Sequence, residues 1–289
     1  MTKTKGLEPV VEPPQEEIKA AVQNLKDWIV KEPHLPNLTD DEFLTTFYCN
    51  NKFSLEKTKS KLDSFYSLKN KYAHLLQNRD PDAPGMEPFW HTIGASEKLT
   101  EDGARVYFLS WNPDPDLFVM NNYIRYVSMF LDMLILEKDR LVPYVFIVDF
   151  KNFQYKNFLA LASATEIFSK MYTERTEIIH LVNASNLVDK VIKAFVPLFP
   201  KKYADRIFVH TAERNDLKDM ISEDVLMSDL GGNGPSYAEC GEWSLRKMRQ
   251  YKKWYSEEGS LASNERLRRT TDNQMEELRG SFRKLECKY

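Results

Sequence analysis

The hydrophobic period of this chain changes near residue 85. From Gln15 the apolar positions Ile18, Val22, Leu25, Trp28 and Ile29 recur at helical spacing, and Pro33 and Pro36 end the run. Asn37-Leu38-Thr39-Asp40 then offers an N-cap, with Asp41 and Glu42 in the first turn, where the helix dipole favours acid. The helix this opens carries Phe43, Leu44, Phe47 and Tyr48 on one side. A third begins near Ser54 and aligns Leu55, Leu62, Phe65, Leu68, Tyr72 and Leu75. The pattern predicts a helical bundle over 15–77 and a helical domain over 15–85 that includes the linker Arg79-Asp80-Pro81-Asp82-Ala83-Pro84-Gly85. Residues 1–14, rich in Pro, Glu and Lys, are expected to be disordered.

Beyond the linker, short runs dense in Val, Ile, Phe and Tyr predict strands at 105–111, 144–149, 178–183 and 207–211. Helical stretches at 117–138, 152–172 and 186–199 separate them. Strands alternating with helices at this spacing imply right-handed crossovers and a largely parallel sheet, so an α/β domain is expected over about 90–250. Residues 251–289 mix both charges with few apolar positions and predict a partly helical tail. No internal repeat is visible.

Two of these helices stand out. The 117–138 stretch is apolar almost all round, from Phe118 and Val119 through Tyr126, Phe130 and Met133 to Leu136. Such a helix is buried on most sides. It is either a central core helix or one that packs on the sheet with one side and lines an apolar cavity with the other. The 186–199 stretch has a wide apolar face (Leu187, Val188, Val191, Ile192, Phe195, Val196, Leu198, Phe199) opposite Asp189, Lys190 and Lys193, and Pro200-Lys201-Lys202 follows it. It reads as an ordinary amphipathic helix or as a movable lid whose apolar face meets ligand or membrane.

Composition narrows the classes. A chain of 289 residues with formal charge -3 has no global field for nucleic acid. The longest apolar stretch, 127–136, is interrupted by Asp132 and falls well short of the ~20 residues that span a bilayer. The first residues lack the apolar core of a signal peptide. Cys49, Cys240 and Cys287 show neither a disulfide framework nor CxxC spacing, and the five histidines form no metal motif, so no metal and no cofactor are expected and the cytosol is the default compartment. One string resembles an enzyme signature: Cys240-Gly241-Glu242-Trp243-Ser244-Leu245-Arg246 fits the C-x5-R loop of cysteine phosphatases. Glu239 and Glu242 flank the thiol and would repel phosphate, and no strand leads into it. Gly231-Gly232-Asn233-Gly234-Pro235 reads as a turn rather than a dinucleotide loop. The chain is expected not to be an enzyme.

Several strings, in order along the chain, resemble the CRAL-TRIO family. Asp40-Asp41-Glu42-Phe43-Leu44 and Asn51-Lys52-Phe53-Ser54-Leu55-Glu56-Lys57 resemble the helical module that precedes CRAL-TRIO domains. Asp102-Gly103-Ala104-Arg105-Val106 is similar to the opening of the family's first strand, and Ile147-Val148-Asp149 to its central strand. His180-Leu181-Val182-Asn183, Pro197 with Arg206-Ile207, Leu230-Gly231-Gly232-Asn233-Gly234 and the arthropod-type tail Gly280-Ser281-Phe282-Arg283-Lys284-Leu285 complete the series. The chain departs from the pattern at Thr46-Phe47-Tyr48-Cys49-Asn50, at Ser185, at Met227 to Asp229 and after Asp149, as a divergent member does.

The resemblance implies a helical module followed by a mostly parallel sheet with a lid helix. It also implies a carrier, like the α-tocopherol-transfer and retinaldehyde-binding types, that moves tocopherol, a retinoid, a carotenoid or a similar lipid between membranes. By position the ligand would be lined by Tyr126, Phe130, Met133, Val148, Phe168, Tyr172, Val191, Phe195 and Phe199. Tyr126 and Phe130 stand where the tocopherol carrier has small hydroxyl residues, which reshapes the polar end of the site. The family's phosphoinositide cluster corresponds to Arg175, Lys202 and Arg206, with Glu177 reversing one sign. The implied partners are a hydrophobic small molecule and, transiently, a membrane surface, contacted by a cytoplasmic monomer. A phosphoinositide-reading scaffold without cargo is the second reading, and the cysteine phosphatase the last.

Overall fold

The computed structural model describes residues 11–38, 40–137, 142–154, 157, 164, 167–172, 176–185 (176 and 177 by backbone), 190, 206–210 and 217–269. Four helices open the chain. In α1 (Gln15–Lys31) the stripe Ile18, Ala21, Val22, Leu25 and Ile29 is buried, as its spacing predicts. Asp40 accepts from Phe43 N at 3.0 Å and so caps α2 (Asp41–Asn50); Ser54 caps α3 (Leu55–Lys71) in the same way through Lys57 N. The short α4 (Ala73–Leu76) ends the bundle.

A five-stranded sheet follows, with strand order β1-β2-β3-β4-β5. β2 (Arg105–Leu109), β3 (Tyr144–Asp149), β4 (Thr176–Val182) and β5 (Ile207–Val209) run parallel, and β1 (Ile93–Ala95) pairs antiparallel with β2. The four parallel strands lie where the β-type runs predict them, with β2 and β5 each ending two residues early. β1, only three residues long and containing a glycine, gives no such signal. Its place is decided by packing: Gly94 and Gly241 let α6 (Tyr237–Gln250) lie backbone to backbone on this edge. A Cβ at Gly241 would meet Trp90 O at 2.2 Å. α6 starts at a capping box between Ser236 and Glu239.

The sheet separates two cores. On one face Val106, Phe108, Val145, Ile147 and Val182 are sealed by Leu217, Ile221, Val225, Leu226, Met227 and Cys240. On the other lies α5 (Met120–Leu136), the crossover between β2 and β3, together with the bundle. α5 is buried from Tyr123 to Ile135 except at Arg125.

The chain beyond α6 departs from the charged-tail expectation. After α7 (Lys252–Ser256) it runs back along the bundle: Ser263 N donates to Tyr66 O at 3.1 Å, and Asn264 N to His34 O at 2.7 Å. Arg268 grips Asp63 with two bonds of 2.8 and 3.0 Å. Charge patterning could not reveal this, because the anchors are Trp254, Tyr255, the Lys69 bond to the Gly259 carbonyl 190 residues away and the Arg268–Asp63 ion pair 205 residues apart. The tail motif at Gly280 to Leu285 and the expected disorder at 1–10 lie outside the described residues.

Candidate functional site

The face of the sheet that carries α5 is paved by two continuous rows. Cross-strand register places Tyr107, Phe146, Ile179 and Ile207 side by side, and Leu109, Val148, Leu181 and Val209 in the next row. Strand alternation turns all eight to the same face. Burial falls along each row. Tyr107, Leu109 and Val148 are buried, while Phe146, Ile179, Leu181, Ile207 and Val209 are half-buried. Phe130 on α5 covers the buried end, with its ring 6.1 Å from that of Tyr107, which in turn stacks on Phe146 at 4.5 Å. An apolar floor therefore extends past α5 toward β5, the geometry of a site for an apolar molecule lying along the sheet.

Of the residues singled out in the sequence, Tyr126, Phe130 and Met133 share one stripe of α5 and are fully buried. Tyr126 packs beside Phe89, ring to ring at 6.2 Å, and its phenol has no hydrogen-bond partner among the described residues. Val148 lies in the floor. Phe168 is half-buried, 6.0 Å from the Tyr172 ring. Tyr172 is buried and polar in its contacts: its hydroxyl donates to Asp132 Oδ1 at 2.8 Å and to Ser128 O at 3.2 Å on α5. Val191, Phe195, Phe199, Arg175 and Lys202 lie outside the described residues, as do the side chain of Glu177 and most of the 186–199 helix. Arg206 is half-buried just before β5, and its carbonyl accepts from Ile179 N at 2.8 Å.

Seven floor residues escaped the position-by-position reading: Tyr107, Leu109, Phe146, Ile179, Leu181, Ile207 and Val209. Their period-two spacing on the predicted strands was the available signal. A second missed feature is the buried pair of Arg79 and Asp132, 2.5 Å apart. Its sequence signal was the lone acid inside an apolar helix.

The phosphatase-like string takes a different shape from a phosphate loop. Cys240 sits inside the first turns of α6, packed in the core on the sealed face of the sheet. Burial, reinforced by Glu239 and Asp229, pushes its thiol up to about 12, so it is not a thiolate at neutral pH. Gly231 adopts the left-handed conformation (φ 82°) of a turn, as its spacing predicts. Among the described residues no three His, Cys, Asp or Glu side chains are grouped to hold a metal ion, and no helix is long and apolar enough to cross a membrane.

Comparison with known proteins bears on this geometry. The CRAL/TRIO domain family matches residues 101–232, the span of the parallel sheet and its floor. The chain carries a CRAL/TRIO domain. Its helical bundle, residues 14–86, matches the Pinta-like UBA domain. Clavesin-1 of Xenopus laevis is 25% identical over 238 residues, which cover 77% of this chain and 70% of the relative. Clavesin-2 of Homo sapiens is 24% identical over 233 residues, covering 77% and 71%. The crystal structure of Sfh5 shares the fold, with a TM-score of 0.55 at 12% identity over 82% of this chain and 98% of that one. The CRAL/TRIO domain and the clavesin relatives support lipid binding as the functional class.

Proposed function

We propose that this CRAL-TRIO protein is a cytoplasmic, monomeric carrier that holds one hydrophobic small molecule on the apolar floor and delivers it at a membrane. The observation that carries the reading is the eight-residue floor beside a largely apolar helix, grading from buried at β2 to half-buried at β5. A molecule covering a few hundred Å² of such surface gains several kcal/mol at about 25 cal/mol/Å², enough for micromolar binding after the entropic cost. Tyr126, Phe130, Met133, Val148, Phe168 and Tyr172, with Val191, Phe195 and Phe199, are the proposed ligand shell. The ligand class is a tocopherol, retinoid, carotenoid or similar lipid, and Arg175, Lys202 and Arg206 are the proposed contacts to an anionic headgroup during release.

Organic extraction and mass spectrometry of the native protein, followed by titration with retinoids, tocopherols and phospholipids, test this reading. Co-purified or titratable lipid at one equivalent is expected. Failure of every class to bind would reject the carrier, and headgroup binding without cargo would instead favour the phosphoinositide scaffold.

A further inference from the structure

Beneath α5, on the side where the bundle, the linker and the C-terminal segment meet, two cations and one acid are buried together. The Arg79 guanidinium donates to Asp132 Oδ2 at 2.5 Å and to Ser128 Oγ at 2.8 Å, and Tyr172 completes the carboxylate. Asp132 is thereby matched to Arg79. Lys69, fully buried on α3, donates instead to the carbonyl of Gly259 at 2.7 Å, and Arg79 reaches the same oxygen at 3.4 Å. The remaining surroundings of the ammonium are aromatic faces: Phe65 at 4.4 Å, Trp254 at 5.4 Å and Tyr66 at 5.9 Å. With Lys69 protonated, the junction holds two cations against one anion, and a buried excess charge is costly.

We propose that this junction is a proton-operated latch: Lys69 and Arg79 hold the C-terminal segment at Gly259 against the bundle and α5, and proton uptake at Lys69 loosens that hold. Burial lowers the Lys69 ammonium to about 7; Asp132 opposes the shift and Arg79 adds to it. The other titratable groups that face the junction are phenols on α3, after residue 171 and on α7. Tyr66, Tyr172 and Tyr255 are all pushed upward, first by burial and then by Asp132, so they stay neutral through this range. Glu258 and Asp40 act on the Tyr66 phenol.

The direction follows from linkage. Once the latch is open and Lys69 is in water, its amine returns toward 10.5, so between about 7 and 10.5 the open state binds more protons than the closed one. Closure therefore strengthens as pH rises through that window and is weakest below 7. From pH 8 to pH 6 the open fraction should rise about tenfold. The latch bears on α5 through Ser128 and Asp132 and on Tyr172 through Asp132, so on the carrier reading an acidic membrane surface, where negative potential concentrates protons, would ease cargo release.

Hydrogen exchange of the full chain at pH 6 and pH 8, normalised to intrinsic rates and followed in peptides covering 254–264 and α5, tests the latch. About tenfold weaker protection at pH 6 is expected, with Lys69→Met protected equally at both values. Equal wild-type protection at both pH values, or an unchanged pH dependence in Lys69→Met, would overturn the proposal. NMR titration of the Lys69 side chain in the wild type needs no variant: a midpoint near 7 supports the latch, and one near 10.5 refutes it. No lipid enters either measurement, so a failed latch leaves the carrier reading standing, and the reverse.

Discussion

The two faces of the central sheet carry similar residues and are packed to different extents. On the sealed face Val106, Phe108, Val145 and Ile147 are fully buried, and Phe108 stacks on Tyr237 at 4.1 Å. On the α5 face the rows start equally buried at Tyr107 and Leu109 but reach half-burial at Leu181 and Val209. Apolar composition alone does not mark a binding surface. On the carrier reading, what marks it is apolar surface buried at one end and only half-buried at the other, because the half-buried end can gain free energy from a guest.

That contrast can be broken by experiment, most sharply on the sealed side. Phe108→Ala should cost about 3–5 kcal/mol of stability, read from urea unfolding, since a fully buried ring leaves a cavity its neighbours cannot fill. A cost under about 1 kcal/mol would mean that this face is no better packed than the other. Leu181→Ala removes side-chain volume from the half-buried row, so its stability loss should stay below about 1.5 kcal/mol while lipid affinity falls several-fold, roughly 1 kcal/mol. Were Leu181→Ala to destabilise as much as Phe108→Ala with lipid affinity intact, the floor would be ordinary core. The smallest effect should come from the edge beside β5. Lys202→Glu with Arg206→Glu should slow transfer to anionic vesicles at low salt, by about 1 kcal/mol per cation, without changing binding. Equal rates for the double variant and wild type would remove the electrostatic part of delivery.

The polar junction sharpens the same comparison. The floor is built of apolar side chains apart from the Tyr107 phenol. The Arg79–Asp132 pair and Lys69 are enclosed, with donors and acceptors facing one another across five segments. Tyr172 has its ring beside Phe168 of the proposed ligand shell and its hydroxyl in the junction, so on the two proposals it is the physical link between ligand and latch.

Much of this was legible before folding. Helical spacing gave α1, α2, α3 and α5, and the Asp40 and Ser54 caps fell where local hydrogen bonding requires them. The four parallel strands followed from dense β-branched and aromatic runs, and the ordered family strings named the fold. These are local properties, decided within a turn or a strand pair. The rest was settled by contacts between distant segments. β1 is a strand because Gly94 admits α6. Residues 252–268 are part of the bundle because Arg268 finds Asp63 and Lys69 finds Gly259. Strand alternation hints at Leu181 and Val209 as floor, but only cross-strand register aligns them with Val148. Periodicity reports which side chains share a face; it carries no information about what lies opposite, because that depends on chain crossings whose partners are far apart in sequence.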